Sequence, residues 1–396
     1  MKNYNYTVLI LIIVVATRAE RAWICVSVAD LIGQRMSTIH PATDILQHYH
    51  TMPYFGKGTW ACPRIGQALF GQEVTIKKIE GDEALISIKN LFYQTDEKKR
   101  TKYWTLASNI ISQTQLTAKG TDYSKLPPPI DYTDPTMQSM HTVITLIAPW
   151  HSEKTTYSVG TRFLRALKSD THTTYAIWVL NPTLGTITKQ RIPKKICMVY
   201  NPTKTTQEKR AKFVALLRQW ADQKNGFIPY VWGGFSIIAP CNNRAFIKEE
   251  TTHEERYEYA EKKNSYPKDG LDCSGLVALA AQCCGLPYFL KNSSTILRHL
   301  ATVKAGEPIQ CGDLIWFPGH VVVISNLNPA LVIEARGYTH GYGKVQEISL
   351  EKSFKGIITM LDIQNALAAK RPLERLDSAG KTVQHLTQWN VLTMFY

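Results

Sequence analysis

The sequence has no C-x-x-C pair and no cysteine–histidine grouping at zinc spacing, so a zinc site is not expected. Only 20% of its residues are charged while 44% are hydrophobic, a globular balance that excludes a disordered chain. Acidic residues are scarce: 32 Asp and Glu face 46 Lys and Arg, for a formal net charge of +14. That excess favours contact with an anionic wall polymer or membrane surface. No aromatic-plus-basic motif accompanies it, so nucleic acid is not an expected partner. Long apolar runs are missing too. The one at Thr7–Ala16, behind Lys2, is too short for a comfortable membrane span and reads as the apolar core of a signal peptide. Small residues for cleavage lie at Ala19 and Ala22, and an uncleaved anchor is the alternative. Cys25 lacks the context of a lipid-modified cysteine. The expectation is a signal peptide over 1–22 and export to the periplasm, cell envelope or exterior.

A chain of 396 residues exceeds one ordinary core, which implies two or three domains. Short alternating strands with Gly-Asp punctuation run from Val26 to about Gln113, including Glu73–Ile79 and Ala84–Ile88, as in a small β-barrel. Pro127-Pro128-Pro129 forbids helix and sheet and reads as a stiff linker, with 116–139 its expected extent. Strand patterning returns over Val143–Ile147, Gly160–Leu164, Tyr175–Leu180 and Arg191–Val199. Two β-barrels, 23–115 and 140–202, are therefore expected in tandem. From about Thr203 the texture changes. Phe213, Leu216, Leu217 and Trp220 share one helical face, and a second helix is expected from Cys273 to Cys284, stopped by Gly285. Strands follow at Asp313–Phe317, Val321–Ile324, Leu331–Glu334 and Gly356–Met360. Helices followed by an antiparallel sheet make an α+β domain over 203–363, with a helical or poorly ordered tail over 364–396. Lys248–Lys268 reads as a charged surface insertion.

Asp272-Cys-Ser-Gly275 stands where loop becomes helix. A thiol there meets unpaired N–H groups and the positive end of the helix dipole, which favour the thiolate and could serve an oxyanion. The alternative for Cys273 is packing as a small hydrophobe, which is the reading for Cys283 and Cys284. His320 opens an apolar strand and Glu334 closes the next. Their midpoint is Leu327, inside the Ser325–Pro329 turn, so a regular hairpin makes them cross-strand partners and lets the carboxylate orient the imidazole. A one-residue bulge would defeat that register. Tyr230 and Trp232 flank a Gly-Gly turn; the phenol can help form an oxyanion hole, and Trp232 reads as packing. Asp272 and Ser274 could bind a substrate ammonium, although helix capping explains Asp272 more simply.

Pro229-Tyr-Val-Trp-Gly-Gly234, Asp272-Cys-Ser-Gly-Leu-Val277, Gly312-Asp-Leu-Ile-Trp-Phe317 and Gly319-His-Val-Val-Val-Ile324, in that order, resemble the NlpC-type cell-wall cysteine peptidases. The resemblance implies a papain-like fold preceded by two bacterial SH3-like barrels. It implies cofactor-free hydrolysis of peptidoglycan stem peptides or muropeptides, commonly between γ-D-glutamate and a diamino acid. Its nucleophile falls on Cys273, its base on His320 and its third polar residue on Glu334, where the family often has His. Tyr230, Asp272 and Ser274 match positions that line the site. In tandem-SH3 members the barrels narrow the groove toward short peptides with a free N-terminal L-Ala; Tyr123 and Trp104 are candidate wall aromatics, with core or surface packing as the alternative for each. The stretch between Gly234 and Cys273 exceeds the family's usual connection. An amidase or acyltransferase on the same scaffold, or a wall-binding protein, are the other readings.

Overall fold

The computed structural model describes residues 19–41, 44–53, 62–89, 91–94, 99–129, 142–153, 155–199, 204–222, 226–239, 246–250, 255–259, 269–286 and 292–395. The expected signal segment before residue 19, the linker beyond residue 129 and most of the Lys248–Lys268 insertion lie outside these. The chain is mixed α and β, with three main antiparallel sheets.

The first sheet has seven strands, in the spatial order Arg64–Leu69, Val28–Ile32, Tyr103–Leu106, Glu83–Ser87, Glu73–Glu80, Glu20–Ile24, Ile110–Ser112. Its two end strands do not pair with each other, so among the described residues it is not a closed barrel. The Arg64–Leu69 edge faces the Gly-Gly turn, where Gln67 Oε1 accepts from Phe235 N at 2.8 Å and Ser236 Oγ at 2.9 Å. Side-chain bonding thus ties the turn to an edge that barrel closure would otherwise cover. The expected boundary at residue 22 falls inside the Glu20–Ile24 strand, whose Ala22 and Trp23 are fully buried. The second sheet runs Thr186–Pro193, Thr174–Asn181, Arg162–Arg165, Val143–Leu146, Cys197–Val199 and is also open. The expected linker begins inside a helix, Gln113–Ala118, started by a Ser112–Gln115 capping box. Its prolines are pinned rather than free: Arg162 donates to Pro128 O at 2.9 Å and Leu126 is buried.

The third sheet positions the site. Its order is Ala301–Thr302, Asn390–Thr393, Leu314–Phe317, His320–Asn326, Leu331–Arg336, Lys344–Ser349. Period-two alternation sends Leu314, Trp316, Val321, Val323 and Ile333 to one core and Ile315, Phe317, Val322, Ile324 and Val332 to another. Burial on both faces explains the unbroken His-Val-Val-Val-Ile run. The first core holds the helices Thr206–Ala221 and Cys273–Cys283 and extends into the first sheet through Ile24, Leu31 and Leu69. The second holds Met360–Ala368.

Two expectations fail here. Gly356–Met360 is not a strand, because Thr359 and Asp362 form a capping box that starts the Met360–Ala368 helix. The stretch 364–396 is no tail: after that helix come a Leu373–Leu376/Thr382–Leu386 hairpin and the Asn390–Thr393 strand, which pairs directly with Leu314–Phe317. Removing residues after 363 would strip an internal strand from the sheet.

Candidate functional site

Cys273 is the first residue of its helix and 8% exposed. Asp272 caps that helix, its Oδ1 accepting from Gly275 N at 2.6 Å and Ser274 Oγ at 2.8 Å. The far end closes on Gly285, at φ +66°, with Leu286 N bonded to Ala281 O and Gly285 N to Gln282 O in a Schellman motif. Gly275 is required for packing, since a Cβ there would sit 2.0 Å from Gly234 O. The helix start is thereby seated on the Gly-Gly turn.

The Cys273 sulfur faces the backbone N–H groups of Ser274 and Val321, the latter being the residue after His320. His320 Nε2 lies 2.8 Å from Glu334 Oε2. The register differs from expectation. Val323 pairs with Ile333 and Ile324 with Val332, and a bulge follows at Ser325. Continued outward, this register places Glu334 opposite Val322 and diagonal to His320 rather than directly opposite. The turn pairs Asn326 with Leu331 and so lies further along the chain than a Leu327 centre, and the one-residue bulge brings the register to two positions from the symmetric one. Facing parity is kept, and a Glu side chain spans the diagonal. The contact forms by a different route from the symmetric hairpin.

Electrostatics decides the resting protonation state. Burial, followed by the Asp272 carboxylate, pushes the Cys273 thiol well above the ordinary range, and the N–H groups of Val321 and Ser274 only partly oppose this. The thiolate expected from the helix dipole is therefore not the resting form: desolvation outweighs the dipole. Burial likewise lowers His320, against the upward pull of Glu334. Burial would raise Glu334, yet Arg375, His320 and Arg336 together hold it well below the usual carboxylate range. An ionised Glu334 can only accept, so Nε2 carries the imidazole proton and Nδ1 keeps its lone pair. The resting pair is neutral thiol and neutral imidazole. At pH 7, Cys273 is accordingly expected to be alkylated by iodoacetamide more slowly than free cysteine, with the rate climbing toward alkaline pH. Rapid alkylation that is flat between pH 5 and 8 would instead indicate a preformed ion pair.

Tyr230 sits above Gly337 and is raised by burial and then by the neighbouring Cys273 and Asp272 charges, so its phenol stays a proton donor beside the nucleophile. Asp272 and Ser274 bond to each other and to the helix start, which makes capping their visible role. Trp232 packs with the small cluster around Ile32 and Met36. The two nominated wall aromatics lie elsewhere: Tyr123 packs at 5.5 Å against Trp23, and Trp104 lies under Arg35 at 5.4 Å. The aromatic that does approach is Tyr93, from the Tyr93–Gln94/Lys99–Arg100 hairpin. Its phenol is raised by burial and then by Asp272, and it also feels Cys273. A two-residue strand beside a charged loop leaves almost no periodic signal, so Tyr93 was not legible. The first sheet also braces the site through Arg64, fully buried, which donates to Asp30 Oδ1 at 2.6 Å and Trp232 O at 3.1 Å.

Cys283 and Cys284 are buried in the core, and burial raises both, Cys284 to about 12. Among the described residues no cluster could hold a metal ion, all seven described cysteines are free, and no helix is long and apolar enough to cross a membrane.

No family model matches the sequence, and no curated protein matches it. Among solved structures, the chain is similar to an NlpC/P60 family protein from Bacillus cereus ATCC 10987, at 20% identity over 83% of this chain and 93% of that one, with a TM-score of 0.48. It is also similar to NlpC2 from Trichomonas vaginalis, at 11% identity over 84% and 92% of the two chains, with a TM-score of 0.30.

Proposed function

We propose that the chain is an exported, cofactor-free cysteine endopeptidase that cuts the γ-D-glutamyl–diamino acid bond of short muropeptides bearing a free N-terminal L-Ala. The observations that support the chemistry are a helix-start thiol facing the N–H of Val321, the residue after His320, and an imidazole 2.8 Å from an ionised carboxylate. The substrate class rests on the resemblance of the four ordered motifs.

In the forward step the Cys273 sulfur attacks the amide carbonyl carbon while Nδ1 of His320 takes the thiol proton. Glu334 stabilises the imidazolium. The N–H groups at the helix start and the Tyr230 hydroxyl are the donors available to the oxyanion. Collapse breaks the C–N bond as His320 returns the proton to the leaving amine. Water, deprotonated by His320, then hydrolyses the thioester.

The Tyr93–Gln94/Lys99–Arg100 hairpin supports a selective role. Tyr93 stands by Asp272 and Cys273, where it limits the length of chain that fits, and a free ammonium would find the Asp272 charge. An N-acyl group would clash there and forfeit that pairing. N-acetylation of an L-Ala-γ-D-Glu-diamino acid substrate is expected to lower kcat/KM by ~10-fold or more, and Tyr93→Ala to shrink that ratio. Equal rates on free and acetylated peptides by the unmodified chain would refute the selective role. A fragment starting near Lys204 is a poor test, because it removes Gln67 and Arg64 from the turn and exposes the shared core.

A further inference from the structure

The hairpin Leu373–Leu376/Thr382–Leu386 lies apart from the segments that supply nucleophile and base, yet one of its side chains reaches the site. Arg375 is 1% exposed. It donates to Glu334 Oε2, the oxygen that also faces His320 Nε2, and its other terminal nitrogen donates to Ser353 O at 2.9 Å. Its guanidinium lies 5.0 Å from the Phe354 ring and 5.9 Å from Phe317, and Phe317 lies 5.3 Å from His320. The three groups His320, Glu334 and Arg375 therefore form a continuous file, from a partly exposed imidazole to a buried guanidinium. We infer that Arg375 is a positioning residue that, through Glu334, sets the pH range over which His320 is a neutral base. The inference rests on His320 serving as the base.

Charge balance is the reason. A carboxylate that already binds a buried guanidinium has less field to offer a second cation. The charged groups around His320 are Glu334 and Arg336 on the adjacent strand and Arg375 on the hairpin; Gln346, opposite Glu334, is neutral. Arg336 in turn faces Tyr342 and Asp377. Close to the imidazole, two guanidiniums thus oppose one carboxylate before His320 gains any proton. The arrangement sacrifices some stabilisation of the imidazolium. In return, the base stays unprotonated at acid pH while its orientation stays fixed.

The test is a titration of the His320 ring by NMR in the full chain carrying Cys273→Ala, with Arg375 intact, Arg375→Lys, Arg375→Met or Arg375→Gln. Arg375→Met is expected to move the His320 midpoint upward by about one pH unit or more, and Arg375→Lys to leave it near its original position. Arg375→Gln, neutral yet able to donate to Glu334, is expected to show the same upward shift should the Met variant fail to fold. With Cys273 present, the acid limb of kcat/KM moves with the midpoint. A His320 midpoint that stays put in the neutral variants overturns the inference. The titration needs no substrate: a shifted midpoint, together with no peptide cleavage by the chain that retains Cys273, would count against the peptidase reading and leave the role of Arg375 standing.

Discussion

Cys273→Ala is expected to reduce hydrolysis by at least ~10⁴-fold while leaving the fold in place. The size of the effect follows from covalent catalysis: without the sulfur no acyl-enzyme forms, and the oxyanion donors alone give only residual acceleration. The fold survives because alanine keeps the helix start, and the cap rests on Asp272 rather than on the thiol. Losing one buried sulfur costs about 1 kcal/mol. Cys283→Ala and Cys284→Ala carry a similar stability cost but are expected to keep full turnover, since both lie in the apolar core. Steady-state rates of the three variants, set beside their urea midpoints, separate chemistry from packing. Turnover retained by Cys273→Ala would remove the nucleophile assignment altogether.

Glu334→Gln is expected to fail twice over. The amide keeps the shape but carries no charge to stabilise the imidazolium, so kcat falls. By shape alone the substitution is structurally mild, but Arg375 makes it otherwise. Removing the carboxylate's charge strands a guanidinium that is 1% exposed, and breaking such a buried pair costs about 3–5 kcal/mol. A fall in kcat together with a large drop in the urea midpoint is the expected pair of results. The same pairing gives a pH signature. Glu334 is held below its unfolded value, so its contribution to stability is complete above the ordinary carboxylate range and is lost as pH falls below it. An unchanged urea midpoint in Glu334→Gln would show that the Arg375 contact is energetically idle.

What the sequence revealed tracks the range over which each signal acts. The helix Thr206–Ala221 was legible from the spacing of Phe213, Leu216, Leu217 and Trp220, and its Thr205–Glu208 capping box marks the start in four residues. Cys273 could be placed because capping and the Gly285 stop are local. The His320–Glu334 contact was legible only in part: the two side chains share a face because the turn offset and the one-residue bulge at Ser325 together shift the register by an even number, and nothing in the sequence announces either. Arg375 was invisible. It lies in a stretch read as a tail, and only the pairing of Asn390–Thr393 with Leu314–Phe317 carries the hairpin before it back to the site. The barrels misled for a related reason. Alternation identifies strands but not whether a sheet's ends meet, and here the Arg64–Leu69 edge meets the Gly-Gly turn instead.

The central claim is that Cys273 opens a γ-D-glutamyl amide through a thioester. The most direct measurement is mass spectrometry of the intact full chain, quenched in acid during turnover of L-Ala-γ-D-Glu-diamino acid peptides, with the released products identified in the same sample. The account predicts release of L-Ala-D-Glu and the free diamino acid, and an L-Ala-γ-D-glutamyl adduct that maps to Cys273 and is missing from Cys273→Ala. Peptide left intact, or the same products formed by Cys273→Ala with no adduct in either protein, would contradict it.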